Sequence, residues 1–183
     1  MTQEQEIELV ERAKSDDGAF SELYDYYMPK IYGYIHKRVG DKDAAEDLTS
    51  QTFLKMVQHL PRFDTEGAGG RGVYFKSWLY RIATNTVIDY YRRNRPTEEI
   101  KEEMPLKDDA PNPGEQAASN EQRERVLATL SRMPEKYSKI LHLKFFGDLS
   151  NEEIAAALGI TPNNAGVLIY RALKSFEKCF AKF

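Results

Sequence analysis

Cysteine, histidine and long apolar runs are scarce in this chain of 183 residues. Its one cysteine, Cys179, excludes an intrachain disulfide and a cysteine-rich zinc site. The three histidines, His36, His59 and His142, lie far apart and lack metal-ligand spacing. No apolar run approaches the ~18–20 residues that cross a membrane, and the amino terminus lacks the apolar core of a signal peptide. We therefore expect no metal, no cofactor, no membrane insertion and a cytoplasmic location.

Patterns that support catalysis are also missing. Carboxylates are plentiful, but they fall on the polar faces of predicted helices, and none pairs with a histidine or lysine in a motif. The glycines between 67 and 72 follow a helical stretch and match neither a P-loop nor a dinucleotide-binding pattern. The sequence therefore predicts a protein that is not an enzyme.

Charge is unevenly distributed along the chain, although the net charge is only −3. Residues 96–119 contain four prolines, seven acidic side chains and two basic ones, with few large apolar residues. This composition is typical of a mobile linker. We predict a first domain over 1–95, a flexible acidic linker over 96–119 and a second domain over 120–183. A nucleic-acid partner would have to meet local basic patches, because the whole chain is not a polycation.

Helical periodicity dominates both predicted domains, so we expect an all-α fold of two small helical domains. One apolar stripe begins at Phe20, after the start signal Ser15-Asp16-Asp17, and Pro29 is expected to kink or briefly break this helix. Gly40 ends it, and Asp41 or Asp43 can cap the next helix, which Pro61 stops. The Gly-rich stretch 64–72 then predicts a loop.

The stretch from Tyr74 to Arg95 combines the only tryptophan, Trp78, with other aromatic and several basic residues. Leu79, Ala83 and Val87 recur at helical spacing and predict a buried stripe. A second side of the same helix carries cations and an amide: Arg81, Asn85, Arg92 and Arg93. Such a helix can neutralise phosphates, bond a base edge and stack on an unpaired base. The alternative is an ordinary amphipathic helix with a solvated basic end, in which Trp78 is a core residue.

The last third of the chain has the spacing of a helix-turn-helix. Ser150 and Glu153 form a capping-box pattern, Gly159 supplies a turn, and Thr161-Pro162 begins a last long helix. The amino-terminal part of that helix would face base edges in the major groove. The residues predicted to contact DNA there are Thr161, Asn163, Asn164 and Val167, then Tyr170, Arg171 and Lys174. A helical hairpin that binds only protein is the alternative.

Four blocks of the chain, in order, resemble the extracytoplasmic-function family of sigma factors, which are bacterial transcription initiation factors. They are AFSELYDYYMPKIYGYIHKRVGD, AAEDLTSQTFLKMVQHLPRFD, FKSWLYRIATNTVIDYYRRNR and LSRMPEKYSKILHLKFFGDLSNEEIAAALGI. The resemblance implies a region-two domain, a linker and a region-four helix-turn-helix domain. It also implies three kinds of partner: core RNA polymerase, promoter DNA and an anti-sigma factor.

The resemblance also assigns roles to particular residues. The helix over 44–60 would dock on the polymerase clamp through Glu46, Asp47, Ser50, Gln51 and Lys55. The helix over 76–95 and the loop before it would capture and unpair the minus-ten promoter element. Its implied DNA contacts are Arg71, Lys76, Trp78, Arg81, Asn85, Arg92 and Arg93. The last helix would read the minus-thirty-five element, and the linker would thread toward the path of nascent RNA.

This chain departs from the family pattern in several places. Ser50-Gln51 stands where the family often has Gln-Glu, and Leu79 follows Trp78 where many initiation factors have a second aromatic residue. Gly166, Val167 and Leu168 occupy positions that are commonly basic or polar. A stand-alone helix-turn-helix regulator that never opens DNA is the alternative function, and an adaptor that binds only proteins is a third. A clamp-binding helix and a melting helix would have no use in a simple regulator.

Overall fold

The described part of the chain is helical. The computed structural model describes residues 1–65, 74–94 and 115–182. Within those ranges it contains no strand, and the predicted all-α fold class is confirmed. The α-helices in chain order are α1 (Gln3–Ala13), α2 (Asp17–Val39), α3 (Lys42–His59), α4 (Phe75–Arg93), α5 (Glu115–Arg132), α6 (Glu135–Phe145), α7 (Asn151–Leu158) and α8 (Pro162–Phe180). A short 3-10 turn, Leu60–Arg62, follows α3.

Local sequence signals set most of the helix ends. Asp16 and Asp41 accept hydrogen bonds from the first turns of α2 and α3, so that each satisfies a backbone N–H that has no helical partner. Gly40 ends α2 at a φ of 72°, a left-handed conformation that favours glycine. At α7 both halves of the capping box between Ser150 and Glu153 are formed, as predicted.

Two predicted boundaries are corrected. Helix α2 continues through Pro29 from Asp17 to Val39, so the proline does not break it. Its neighbours Tyr27 and Ile31 are fully buried, and this packing offsets the backbone hydrogen bond that proline cannot make. Helix α5 begins at Glu115, so residues 115–119 of the predicted linker are helical. The rest of that linker lies outside the described residues.

Helices α1 to α4 form an amino-terminal bundle around a core rich in tyrosine. Tyr27, Tyr34 and Tyr80 are all at most 1% exposed. Burial brings their hydroxyls to internal partners, since an unpaired buried hydroxyl is costly. Tyr34 shares a 2.8 Å hydrogen bond with Thr84, and the Tyr27 hydroxyl donates to Glu6, whose pKa is raised by burial. These bonds tie α1, α2 and α4 together and hold the outer face of α4 in a fixed orientation.

Helices α5 to α8 form a carboxyl-terminal bundle around aliphatic side chains. Ile140, Leu143 and Ile154 are fully buried, and Ala165 and Ala172 form the inner stripe of α8. Ala155 is 2% exposed, and α7 packs closely against α8. Small residues at this crossing let the two helices approach, as a helix-turn-helix requires.

The two bundles pack against each other, which the sequence did not predict. Helix α7 lies against α4, and α6 lies against α2. Gly147, just after α6, is buried beside Tyr80 of α4, and a Cβ at this glycine would come within 2.9 Å of the tyrosine ring. Contact this close leaves room only for glycine, so the bundles meet through a fitted surface.

Candidate polymerase and nucleic-acid interfaces

Helix α3 exposes most of the face that the sequence assigns to polymerase docking. Its opposite side is buried in the amino-terminal bundle through Ala45, Leu48, Thr52 and Met56. Because of that packing, four of the five residues predicted to dock on polymerase face outward: Glu46, Asp47, Ser50 and Gln51. These four residues give the outer face of α3 carboxylates and neutral polar groups, and none of the four is basic.

Two apolar side chains that were not among the predicted docking residues extend this face. Leu54 is 62% exposed and Val57 is 48% exposed. Leu54 follows Asp47 by seven residues and Ser50 by four, so all three lie along one side of the helix. This spacing is the sequence signal that could have placed Leu54 on the docking face. A helix face with carboxylates at one end and exposed aliphatic groups at the other suits a protein partner better than a nucleic acid.

Lys55, the fifth residue of the predicted docking set, points partly into the bundle. It is half-buried, and its Nζ donates a 2.9 Å hydrogen bond to Oγ1 of Thr86 on α4. Thr86 is 2% exposed. The lysine therefore joins α3 to α4 in the free chain, whereas the other four residues of the set face solvent.

Helix α4 presents the amide and most of the cations predicted for the minus-ten element. Arg81, Asn85, Arg92 and Arg93 are exposed, while Leu79, Ala83 and Val87 form the predicted buried stripe. Arg92 lies 3.1 Å from Asp89, an exposed ion pair that contributes little to stability and leaves the arginine accessible. Arg71 lies outside the described residues.

Trp78 stands at the edge of an aromatic cluster. Its ring lies 4.8 Å from that of Phe63 and 5.4 Å from that of Phe75, and the side chain is half-buried. It therefore packs on the cluster and remains partly accessible to solvent. Core packing and base stacking were the alternatives predicted for Trp78, and a packed but partly accessible ring permits both.

Lys76 differs from the other predicted minus-ten contacts because residues of the carboxyl-terminal bundle hold it. Its Nζ donates a 2.6 Å hydrogen bond to the carbonyl oxygen of Asp148 and lies 3.6 Å from Oε2 of Glu153. In the described structure this ammonium group is thus paired within the chain.

The amino-terminal end of α8 is open to solvent. Thr161 caps the helix and accepts a 3.3 Å hydrogen bond from the Asn164 backbone N–H, while Gly159 makes the turn before it at a φ of 66°. The seven predicted DNA contacts on this helix are all exposed: Thr161, Asn163, Asn164, Val167, Tyr170, Arg171 and Lys174. Lys174 lies 3.0 Å from Glu177, which raises its pKa.

Gly166 is not required by the packing of the free chain. A Cβ at this position would meet nothing within 4 Å. Glycine inside a helix costs about 0.5–1 kcal/mol relative to alanine. Because glycine has no side chain, it leaves the backbone of α8 uncovered between Asn163 and Val167, next to the predicted base-reading residues.

Comparison with known proteins identifies the family. The profile of Sigma-70 region 2 matches residues 23–97, and that of Sigma-70 region 4 matches residues 123–176. RNA polymerase sigma factor SigZ of Bacillus subtilis is 32% identical over 150 residues, which cover 82% of this chain and 80% of SigZ. The chain belongs to the extracytoplasmic-function sigma factors. As a sigma factor, it directs RNA polymerase to promoters.

Other relatives extend the similarity over nearly the whole chain. The RNA polymerase sigma-H factor of Pseudomonas aeruginosa is 32% identical over 190 residues, covering 97% of this sigma factor and 95% of its own length. The sigma factor BldN of Streptomyces coelicolor, from the same extracytoplasmic-function family, is 31% identical over 175 residues, but the match covers only 64% of BldN.

Solved structures share the fold of this sigma factor. CnrH, solved with the cytosolic domain of CnrY, superposes with a TM-score of 0.72 at 20% identity, and the match covers 97% of each chain. RpoE of Bartonella quintana, solved with the anti-sigma factor NepR, gives a TM-score of 0.63 at 15% identity, covering 88% of this chain and 96% of RpoE. None of the described helices of the sigma factor is long and apolar enough to cross a membrane.

His142 lies where the two matched regions of the sigma factor meet, and burial lowers its pKa to about 4. Arg38 on α2 adds to this depression. Nδ1 lies 2.8 Å from the carbonyl oxygen of Ser138, and Nε2 lies 3.3 Å from that of Lys37. A neutral imidazole carries one N–H, so only one of these contacts is a donated hydrogen bond. The buried ring is neutral at pH 7.

This histidine should make the stability of the sigma factor fall in mild acid. Because the folded pKa is below the unfolded one, the unfolded chain takes up a proton first as the pH falls below about 6.5. We expect the unfolding temperature to drop by roughly 5 °C more between pH 6.5 and 5 in the wild type than in His142→Gln. Thermal unfolding followed by circular dichroism measures this. His59→Gln, at an exposed position, is the control. An equal drop in all three proteins would contradict the prediction.

Proposed function

We propose that this sigma factor divides promoter recognition between its two bundles and docks on core RNA polymerase through α3. One observation carries the proposal: the chain exposes three faces of different chemistry on its two family regions. The outer face of α3 is acidic and apolar. The outer face of α4 combines cations, an amide and an aromatic ring. The amino-terminal end of α8 carries amides with basic residues behind them.

The α3 face is assigned to the polymerase because DNA would be repelled from it. Glu46 and Asp47 would lie against phosphates, whereas an apolar group such as Leu54 gains by burial against protein. A helix of this kind, with a charged end and an exposed aliphatic anchor, fits a protein groove.

The α4 face is assigned to the minus-ten element. Arg81, Arg92 and Arg93 supply charge for phosphates, and Asn85 supplies an amide for a base edge. Trp78 is partly exposed and can stack on an unpaired base, and such stacking contributes about 1–3 kcal/mol per base. Together these residues favour a separated strand over an intact duplex.

The amino-terminal end of α8 is assigned to the minus-thirty-five element. Asn163 and Asn164 can bond adenine through their amides, and Val167 can contact a thymine methyl. Arg171 and Lys174, further along the helix, hold phosphates and fix the position without reading sequence. We therefore expect adenine or thymine at the positions that these asparagines touch.

The same proposal places the protein in the cytoplasm, where core polymerase works, without catalytic activity of its own. It also includes an anti-sigma factor as a regulatory partner. The structural neighbour RpoE was solved with one, which makes such a partner a reasonable expectation for this chain as well.

Two substitutions on α3 test polymerase docking. We expect Asp47→Ala and Leu54→Ala each to weaken binding of core polymerase by about 1–2 kcal/mol, since each removes an interfacial contact. Both side chains are exposed, so the free energy of unfolding should change by less than about 0.5 kcal/mol. A fluorescence titration of labelled sigma factor with core polymerase measures the affinities.

The control is Glu8→Ala on α1, which removes an exposed acid outside the region 2 match. It should leave the affinity unchanged. If both α3 variants bind core polymerase as tightly as the wild type does, this face is not part of the docking surface.

A further inference from the structure

Asn85, the amide assigned to a base edge, stands between two buried threonines. Thr84 is 3% exposed and Thr86 is 2% exposed, whereas Asn85 is exposed. Successive residues of an α-helix are turned by about 100° around the axis, so the two threonines lie roughly 200° apart on α4. Asn85 is in the middle of that arc. The amide therefore faces outward while both of its chain neighbours are buried within the bundle.

The two threonine hydroxyls are bonded to different helices. Oγ1 of Thr84 shares a 2.8 Å hydrogen bond with the hydroxyl of Tyr34 on α2. Oγ1 of Thr86 accepts a 2.9 Å hydrogen bond from Nζ of Lys55 on α3, because a lysine ammonium group can only donate. Helix α4 is thus held by α2 on one side of Asn85 and by α3 on the other.

These two bonds are suited to fixing the rotation of α4 about its own axis. The apolar stripe of α4 holds the helix against the bundle, but apolar contact has no preferred direction. Hydrogen bonds are directional, and the threonine side chains that make them are stiff because they are β-branched. Tyr34 is itself fixed, since it is fully buried and its ring packs edge-on against Tyr80 at 5.1 Å.

A small rotation of α4 would be enough to misplace the Asn85 amide. Side-chain atoms of a helix lie about 5–6 Å from its axis, so a turn of about 10° moves them by about 1 Å. The distance between donor and acceptor in a good N–H···O bond varies only from about 2.7 to 3.2 Å. A contact that uses both ends of the amide would not survive such a displacement.

We propose that Lys55 and Tyr34 are positioning residues for base reading: acting through Thr86 and Thr84, they hold Asn85 in the rotation that contacts a base of the minus-ten element. The inference rests on the proposed role of Asn85 at that element. Lys55, which the sequence predicts as a docking residue, then serves the minus-ten face from α3 without touching DNA.

The test measures base preference rather than overall activity. Core polymerase with each sigma variant transcribes a promoter library randomised across the minus-ten element, and a barcode in each transcript reports its promoter. Thr86→Val and Lys55→Met remove one bond, and Tyr34→Phe removes the other. Thr86→Ser keeps the hydroxyl. The matched control is Thr52→Val, a buried threonine of α3 whose hydroxyl bonds only within its own helix, to the carbonyl oxygen of Leu48.

Asn85→Ala identifies the position that the amide reads, because preference is lost there. We expect Thr86→Val, Lys55→Met and Tyr34→Phe each to reduce preference at that position about threefold or more, which is part of the roughly 5- to 150-fold that a good base contact provides. Thr52→Val and Thr86→Ser should keep the wild-type preference. Adding Thr86→Val to Asn85→Ala should change nothing further at that position, since no amide is left to position.

The outcomes separate this inference from the proposed function. If Asn85→Ala removes the preference while Lys55→Met and Thr86→Val keep it, positioning is wrong and the assignment of Asn85 stands. If Asn85→Ala leaves every preference unchanged, the assignment of Asn85 fails and the inference fails with it. Equal losses in Thr86→Val and Thr52→Val would show a general loosening of the bundle and would also overturn the inference.

Discussion

Replacing Trp78 with alanine is expected to lower both the stability of the sigma factor and its ability to open promoters. The Trp78 ring contacts Phe63 and Phe75, so truncation should cost about 3 kcal/mol of unfolding free energy, the lower end of the range for fully buried aromatics. The partly exposed ring is also assigned to stacking on an unpaired base, so opening of duplex promoter should fall about tenfold or more. Urea unfolding and transcription from duplex and pre-melted templates measure the two effects.

A matched variant separates unfolding from loss of stacking. Phe75 belongs to the same cluster but is 2% exposed, so Phe75→Leu destabilises the bundle without removing an exposed ring. We expect a template already unpaired at the minus-ten element to restore transcription by Trp78→Ala. Phe75→Leu should show no such dependence on the template. If the pre-melted template does not restore transcription by Trp78→Ala, or if both variants respond to the template in the same way, Trp78 has only a packing role.

Replacing Asn164 with alanine is expected to remove base preference at one position of the minus-thirty-five element. The side chain is exposed, and its helix is capped by Thr161, so the fold should tolerate the change. A good bidentate contact discriminates against the wrong base by about 1–3 kcal/mol, or roughly 5- to 150-fold. Selection from a library of promoter variants, followed by sequencing, gives the preference at every position.

Lys174 provides the contrasting variant. Its charge is assigned to a phosphate, so Lys174→Ala should weaken all promoters alike and reduce the salt dependence of binding by about one counterion. An Asn164→Ala profile identical to that of the wild type at every upstream position would show that this residue reads no base.

Sequence predicted the local features of this molecule well, because they depend on residues close in the chain. The capping box at Ser150 and the turn at Gly159 form as predicted. Asp16, within the predicted start signal, caps α2, and Asp41, one of two candidates, caps α3. The buried stripe of α4 follows directly from the 3.6-residue period. Four of the five predicted docking residues face solvent for the same reason.

The features that sequence missed depend on contacts between distant parts of the chain. No local pattern shows that Lys55 would bond Thr86, or that Lys76 would pair with Glu153 across the two bundles. Leu54 was missed because an apolar residue beside an apolar stripe is normally assigned to the core. The start of α5 at Glu115 was missed because acidic, proline-containing composition predicted a linker up to 119.

Transcription with purified core RNA polymerase tests the central claim most directly. Genomic fragments are transcribed with core enzyme alone and with the sigma factor added, and the 5′ ends of the transcripts are mapped. We predict discrete start sites only when the sigma factor is present, with shared sequences at the minus-ten and minus-thirty-five positions. Binding of the protein to DNA without new start sites would contradict the account and would favour a stand-alone helix-turn-helix regulator.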